Sequence, residues 1–155
     1  MVRRDHPPHD HLRMPRWIRA WIHGAGLACL LTGVLWLSFH HFLTVEGEFG
    51  PSAHPFERTW LVMHAAAGVL VAWLLGLIWM GHVRRGFGIG RRLPSGLGLV
   101  LLVAFLIFSG WGLYYIGDDR WREWTATAHW VVGLGAAVLM LVHVGFGRRR
   151  TNDGR

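Results

Sequence analysis

Cysteine, lysine and charge are what this chain has least of. Cys29 stands alone, so no intrachain disulfide, no C-x-x-C-H haem attachment and no Cys-ligated iron–sulfur cluster can form. Set within an apolar segment, it reads as packing filler. Charged residues make up only 16% of the chain, against 52% hydrophobic residues and 10 Trp, and the mean hydropathy is +0.31. A soluble domain of 155 residues could not cover so much apolar surface, which points to an integral membrane protein. All 16 basic residues are Arg, giving a formal charge of +7 and a pI near 11.4. They cluster at the chain ends and in one loop, without the basic stripe of a duplex reader, so nucleic acid is not the expected partner. The apolar segments hold no paired carboxylates, no Ser-His-Asp set and no phosphate-binding loop. G-F-G-I-G at Gly86 to Gly90 lacks the third-glycine spacing and a preceding strand. Hydrolysis and group transfer have nothing to run on.

What is present centres on Trp124 to Phe146, W-T-A-T-A-H-W-V-V-G-L-G-A-A-V-L-M-L-V-H-V-G-F, a stretch without formal charge. About 20 residues suffice for a helix to cross a bilayer. His129 and His143 are 14 positions apart within it. That spacing puts them about 21 Å apart along a helix axis and only about 40° apart around it. One face of one spanning helix therefore offers an imidazole near each side of a membrane. Polar groups at such depth are costly and are usually kept for a site. Two flat metal cofactors stacked across the bilayer, each taking an axial nitrogen from this helix, would use the spacing.

Three further spans are expected at Trp17–Phe42, Trp60–Gly81 and Leu93–Ile116. The short connections predict an all-α, up-down four-helix transmembrane bundle over residues 16–147. Residues 1–15, with His6, His9 and His11, read as a disordered, solvated tail, and residues 148–155 as a basic tail. The Arg pair and apolar run near the start read as a retained anchor rather than a signal peptide. Of the 16 Arg, 13 fall in the two tails, the first turn of span one and the second loop. The positive-inside rule then puts both termini in the cytoplasm.

The halves resemble two copies of one helical hairpin. Arg58-Thr59-Trp60 precedes His64 much as Arg122-Glu123-Trp124 precedes His129, and Thr32-Gly33 echoes Ser109-Gly110. Sorted by depth, His64 and His129 lie at one level near the outer boundary, and His23 and His143 at a second level near the cytoplasmic one. Two opposed imidazoles at each of two levels make bis-histidine sites, the ligation that suits b-type haem in electron transfer.

These residues, with R-W-I-R-A-W-I-H, L-T-G, F-S-G and R-E-W-T-A-T-A-H-W around them, resemble the four-helix di-haem cytochrome b family. That family includes the membrane subunits of formate dehydrogenases, [NiFe]-hydrogenases and thiosulfate reductases, and prokaryotic cytochrome b561. The resemblance covers about residues 16–147. It implies two haem b groups, the outer on His64 and His129 and the inner on His23 and His143. It also implies electron exchange between an extracytoplasmic dehydrogenase or iron–sulfur partner and quinone, in a bacterial cytoplasmic (inner) membrane.

Some positions leave alternatives open. His82 is 18 residues beyond His64 on the same helical face and could replace His23 as inner ligand or serve a quinone in proton exchange. His40 or His41 could compete with His64. Arg16, Arg19, Arg58 and Arg122 lie at levels suited to haem propionates, whose charge needs a partner at a dielectric boundary. Leu93-Pro94-Ser95-Gly96-Leu97-Gly98 stands where family members with a marked quinone site carry a polar Asn-x-Gly-Gln run. Two other readings remain: a stand-alone superoxide:quinone oxidoreductase of the cytochrome b561 type, and a structural membrane protein without cofactor.

Overall fold

The structure, a computed structural model, describes residues 14–84 and 94–152, with the side chains of Pro94 and of residues 146–152 left aside. The expected tail at 1–13 with its three histidines, the loop Arg residues 85, 91 and 92, and residues 153–155 lie outside the described residues.

Four long helices form in chain order. Helix α1 spans Arg16–Phe42. A two-stranded antiparallel hairpin follows, β1 (Thr44–Gly47) and β2 (Gly50–Ala53). Helix α2 spans Pro55–Ile78 and runs on into a π-helical turn over Trp79–Val83. Helix α3 spans Pro94–Gly112 and α4 spans Asp119–Asn152. The segments Arg16–Phe42, Pro55–Val83, Ser95–Gly112 and Asp119–Gly145 are long and apolar enough to cross a membrane.

Local chemistry sets the helix ends. Pro55 occupies the first turn of α2, where its missing N–H costs nothing, and His54 Nδ1 accepts the Phe56 N–H at 3.2 Å. This start is five residues earlier than Trp60, the expected one, because a capped proline rather than the first tryptophan marks the end. Glu57 in the first turn complements the positive end of the helix dipole. Asp118 caps α4 by accepting the Trp121 N–H at 2.9 Å. Helix α3 ends at Gly112, four residues short of the expected Ile116, in a turn closed by the Tyr115 N–H on the Gly112 carbonyl at 2.8 Å. Helix α4 continues past the expected Phe146 to Asn152. The β-hairpin was not expected. Its chain reversal ends on Gly50, at φ 109°, a conformation that a side chain would oppose.

The helices associate as two antiparallel pairs. In α1–α2, Phe39 meets Phe56 and Trp60, while Cys29 and Gly33 meet His64. In α3–α4, Ser109 meets His129 while Ser95 meets His143. Each pair packs far more closely within itself than against the other. Among the described residues the buried apolar core is Ala25, Leu74 and Ala136, joined by Thr32 and Ser109. Large side chains such as Phe108, Leu141 and Trp17 are mostly exposed, at 72%, 75% and 62%. Water does not tolerate an apolar surface so extensive; a lipid-facing helix presents it as a matter of course.

Gly50→Val should cost about 1 kcal/mol locally, because a β-branched side chain resists positive φ. Hydrogen exchange should show the backbone of Thr44–Ala53 opening more readily while the helices keep their protection.

Candidate functional site

The two helical pairs meet at a pair of imidazoles. His64 on α2 and His129 on α4 face each other with ring centroids 6.2 Å apart and planes at 87°. The expected pairing at this level is the one the structure brings together. Two metal–imidazole bonds of about 2 Å each, plus the two ring radii, come to roughly 6 Å. The separation therefore suits one metal ion held between the rings.

Hydrogen bonds decide which nitrogen of each ring is available. His64 Nδ1 lies 2.9 Å from the Cys29 carbonyl oxygen. A carbonyl only accepts, so Nδ1 carries the proton and Nε2 keeps its lone pair. His129 Nδ1 lies 2.8 Å from Ser109 Oγ, and that hydroxyl donates its own hydrogen to the Leu106 carbonyl at 3.3 Å. Ser109 Oγ is thus left to accept from His129 Nδ1–H, and Nε2 is again bare. Both rings are in the tautomer a metal needs.

Glycine makes this approach feasible. A Cβ at Gly33 would stand 2.9 Å from His64 Cε1, and one at Gly110 would stand 3.2 Å from His129 Cε1. Any larger residue would push the ring off its acceptor. Thr32 and Ser109, the buried polar residues beside these glycines, behave differently. Thr32 turns its hydroxyl onto its own helix, at the Ala28 carbonyl (2.7 Å) and the Cys29 carbonyl (3.1 Å). Cys29, expected to be filler, supplies the backbone oxygen that holds His64, and its Sγ lies 3.8 Å from the same Nδ1.

At the other end of the bundle His143 repeats the theme. Its Nδ1 lies 3.1 Å from Ser95 Oγ, and a Cβ at Gly96 would be 3.4 Å from its Cε1. Since His129 and His143 both touch α3, they share one face of α4, as their spacing predicts. The Leu93–Gly98 stretch, read as a departure from a quinone motif, thus contributes a hydroxyl and a close backbone to His143; its Leu93 lies outside the described residues. The partner of His143 is less simply placed. His23 is exposed on α1. His82 sits in the π turn, and its Nδ1 is buried without a hydrogen-bond partner among the described residues. π turns often mark functional positions because they shift the phase of the side chains beyond them.

Two more buried donors, Trp36 Nε1 and Trp60 Nε1, have no partner among the described residues. Trp36 is one turn beyond Gly33 and Trp60 one turn before His64, so both lie toward the β-hairpin end of the His64 level. His40 is engaged elsewhere, 2.7 Å from Glu57 Oε1 and stacked on Trp36 at 4.9 Å. His41 packs edgewise on His40, and His54 serves as the α2 cap. Arg16, Arg19, Arg58 and Arg122 are all exposed and form no ion pair among the described residues. No three His, Cys, Asp or Glu side chains gather into one cluster among the described residues. His64 and His129 form one opposed pair, an arrangement that suits a planar group bringing its own equatorial nitrogens.

Comparison with family models, with curated proteins and with solved structures finds no match to this chain. The chemistry of the residues themselves therefore carries the functional reading.

Nitrogen-15 spectra of histidine-labelled, cofactor-free protein should show His64 and His129 as neutral Nδ1–H tautomers. An Nε2–H majority at either ring would contradict the bonding described.

Proposed function

We propose that the chain is a membrane di-haem b-type cytochrome that carries electrons across a bilayer, between a redox partner on one side and quinone on the other. The observation that carries this reading is the His64–His129 pair, whose ring centroids lie 6.2 Å apart where the two helical hairpins meet. Haem would supply a reversible one-electron Fe(III)/Fe(II) couple. The chain's part is to clasp it axially, keep water away and give its carboxylates partners. Outer ligation falls to His64 and His129. Trp36 and Trp60, with buried N–H groups otherwise unpaired, and the nearby Arg58 are suited to a propionate; Arg122 would serve the same end from α4.

Inner ligation falls to His143 and, as the resemblance implies, His23, with Arg16 and Arg19 nearby. The buried Nδ1 of His82, unpartnered among the described residues, favours a second reading, in which His82 closes the inner site. Arg distribution supports an arrangement with both termini on the cytoplasmic side of a bacterial inner membrane, and quinone follows from the resemblance. At the β-hairpin end, Glu46, Glu48, Glu57, Asp118, Asp119 and Glu123 outnumber Arg58, Arg120 and Arg122 by six to three. An acidic entrance repels anions. It favours a protein donor, such as a dehydrogenase or iron–sulfur subunit, over superoxide.

Protein purified after expression with ample haem should show a b-type α-band in its dithionite-reduced minus oxidised spectrum, with two haems per chain. Absence of that band would leave a cofactor-free structural membrane protein. His129→Ala and His143→Ala should each retain a single haem; full retention by both would refute the ligand assignment. His23→Ala and His82→Ala then separate the two inner readings, since the variant that falls to one haem has lost the ligand. Superoxide-driven quinone reduction by the purified chain alone would favour the stand-alone cytochrome b561 activity instead.

A further inference from the structure

Helices α3 and α4 carry a matched ladder. Ser95-Gly96 and Ser109-Gly110 are 14 residues apart on α3, and His143 and His129 are 14 apart on α4. The helices run antiparallel, so one register brings both pairs into contact: Ser109 Oγ to His129 Nδ1 at 2.8 Å, and Ser95 Oγ to His143 Nδ1 at 3.1 Å. The glycine after each serine lies against Cε1 of the same ring, where a Cβ would approach to 3.2 Å and 3.4 Å respectively. A hydroxyl oxygen on one edge and a bare backbone beside it restrict the rotation of each imidazole. Nothing comparable repeats among the described residues of the first hairpin, where a backbone carbonyl holds His64 and His82 Nδ1 has no hydrogen-bond partner.

We propose that Ser109 and Ser95 are positioning residues, each governing one haem through one ligand: Ser109 through His129 for the outer haem, and Ser95 through His143 for the inner. This rests on the di-haem reading. The physics is that of any hydrogen-bonded metal imidazole. An acceptor on Nδ1–H leaves Nε2 free for the metal and raises its basicity, which stabilises the oxidised metal and lowers the reduction potential. Loss of the acceptor lets the ring turn and weakens its donation. Each serine therefore acts on its own haem and leaves the other alone.

The test compares Ser109→Ala, Ser95→Ala, Ser109→Thr and Ser95→Thr with the parent full-length protein in detergent. Readouts are haem stoichiometry, potentiometric titration and EPR of the oxidised protein. Ser109→Ala should raise the potential of one haem, alter one low-spin signal and weaken retention of that haem by about tenfold, in the range typical of partners behind a metal ligand. Ser95→Ala should do the same to the other haem. Threonine, which keeps the hydroxyl, should restore parental values at each position. A general packing defect would move both haems together and would not be rescued by threonine.

Unchanged potentials and spectra in both alanine variants would overturn the proposal while leaving the di-haem reading intact. So would threonine variants that match the alanine ones. A parent protein that takes up no haem would instead fail the di-haem reading. Should either alanine variant fold poorly, nitrogen-15 tautomer populations of His129 and His143 in the cofactor-free threonine variants decide, and loss of the Nδ1–H form despite a retained hydroxyl would overturn the proposal.

Discussion

A neutral imidazole binds a metal only through the nitrogen that carries no proton, and in this bundle the neighbouring helix decides which nitrogen that is. The Cys29 carbonyl fixes it for His64, and Ser109, whose own hydrogen goes to the Leu106 carbonyl, fixes it for His129. The packing follows from this requirement. Each acceptor must come within hydrogen-bond range of a ring on the adjacent helix, so the backbones must approach closely. Gly33 and Gly110 stand where that happens. The tight packing within each hairpin is therefore also what orients its histidines. Between the hairpins there is little direct packing, and the imidazole pair lies there.

Much of this was legible in the sequence. Four apolar segments of spanning length, the 14-residue spacing of His129 and His143, and the common level of His64 and His129 follow from helix periodicity, which the backbone enforces regardless of detail. Helix ends were less so. Pro55 behind His54 announced the start of α2, yet the eye falls on Trp60, whose bulk says more about lipid depth than about capping. The hairpin at Thr44–Ala53 is short and built from residues that also suit a loop, so only Gly50 marked it. Ser95-Gly96 was legible as a second copy of Ser109-Gly110 fourteen residues away. It was obscured by comparison with a motif it does not contain. The bond from His64 to Cys29 could not have been foreseen, because a backbone carbonyl is available at every residue and sequence does not distinguish one from another.

The two hairpins are alike without being equivalent, and the differences are physical. Thr32-Gly33 and Ser109-Gly110 occupy matching places, and both glycines lie against a histidine. Ser109 nevertheless reaches across to His129, whereas Thr32 bonds back to its own helix. Both hydroxyls donate to a carbonyl three or four residues earlier on their own helix; what differs is that Ser109 Oγ also lies within hydrogen-bond range of a facing imidazole. With the hydroxyl occupied, the Cys29 carbonyl accepts from both Thr32 and His64. The second level of the first hairpin has diverged further: His23 is exposed, and His82 lies in a π turn with its Nδ1 unpaired. A duplicated hairpin could have given four equivalent histidines; among the described residues this chain holds three by hydrogen bonds to the neighbouring helix and leaves the fourth less constrained.

That asymmetry bears on how the proposed cytochrome would work. Electron transfer requires sites that change little between oxidation states, and a ligand held at both edges satisfies this better than one free to turn. With both outer imidazoles hydrogen-bonded through Nδ1 and the inner site so held on one side only, ligand basicity is greater at the outer level. In the proposed di-haem protein greater basicity would stabilise the oxidised iron and make the outer haem the stronger reductant. Electrons arriving from a donor at the acidic β-hairpin end would then run downhill toward the inner level. A gradient between the two proposed haems would then need no difference in cofactor, only unequal hydrogen bonding behind four histidines.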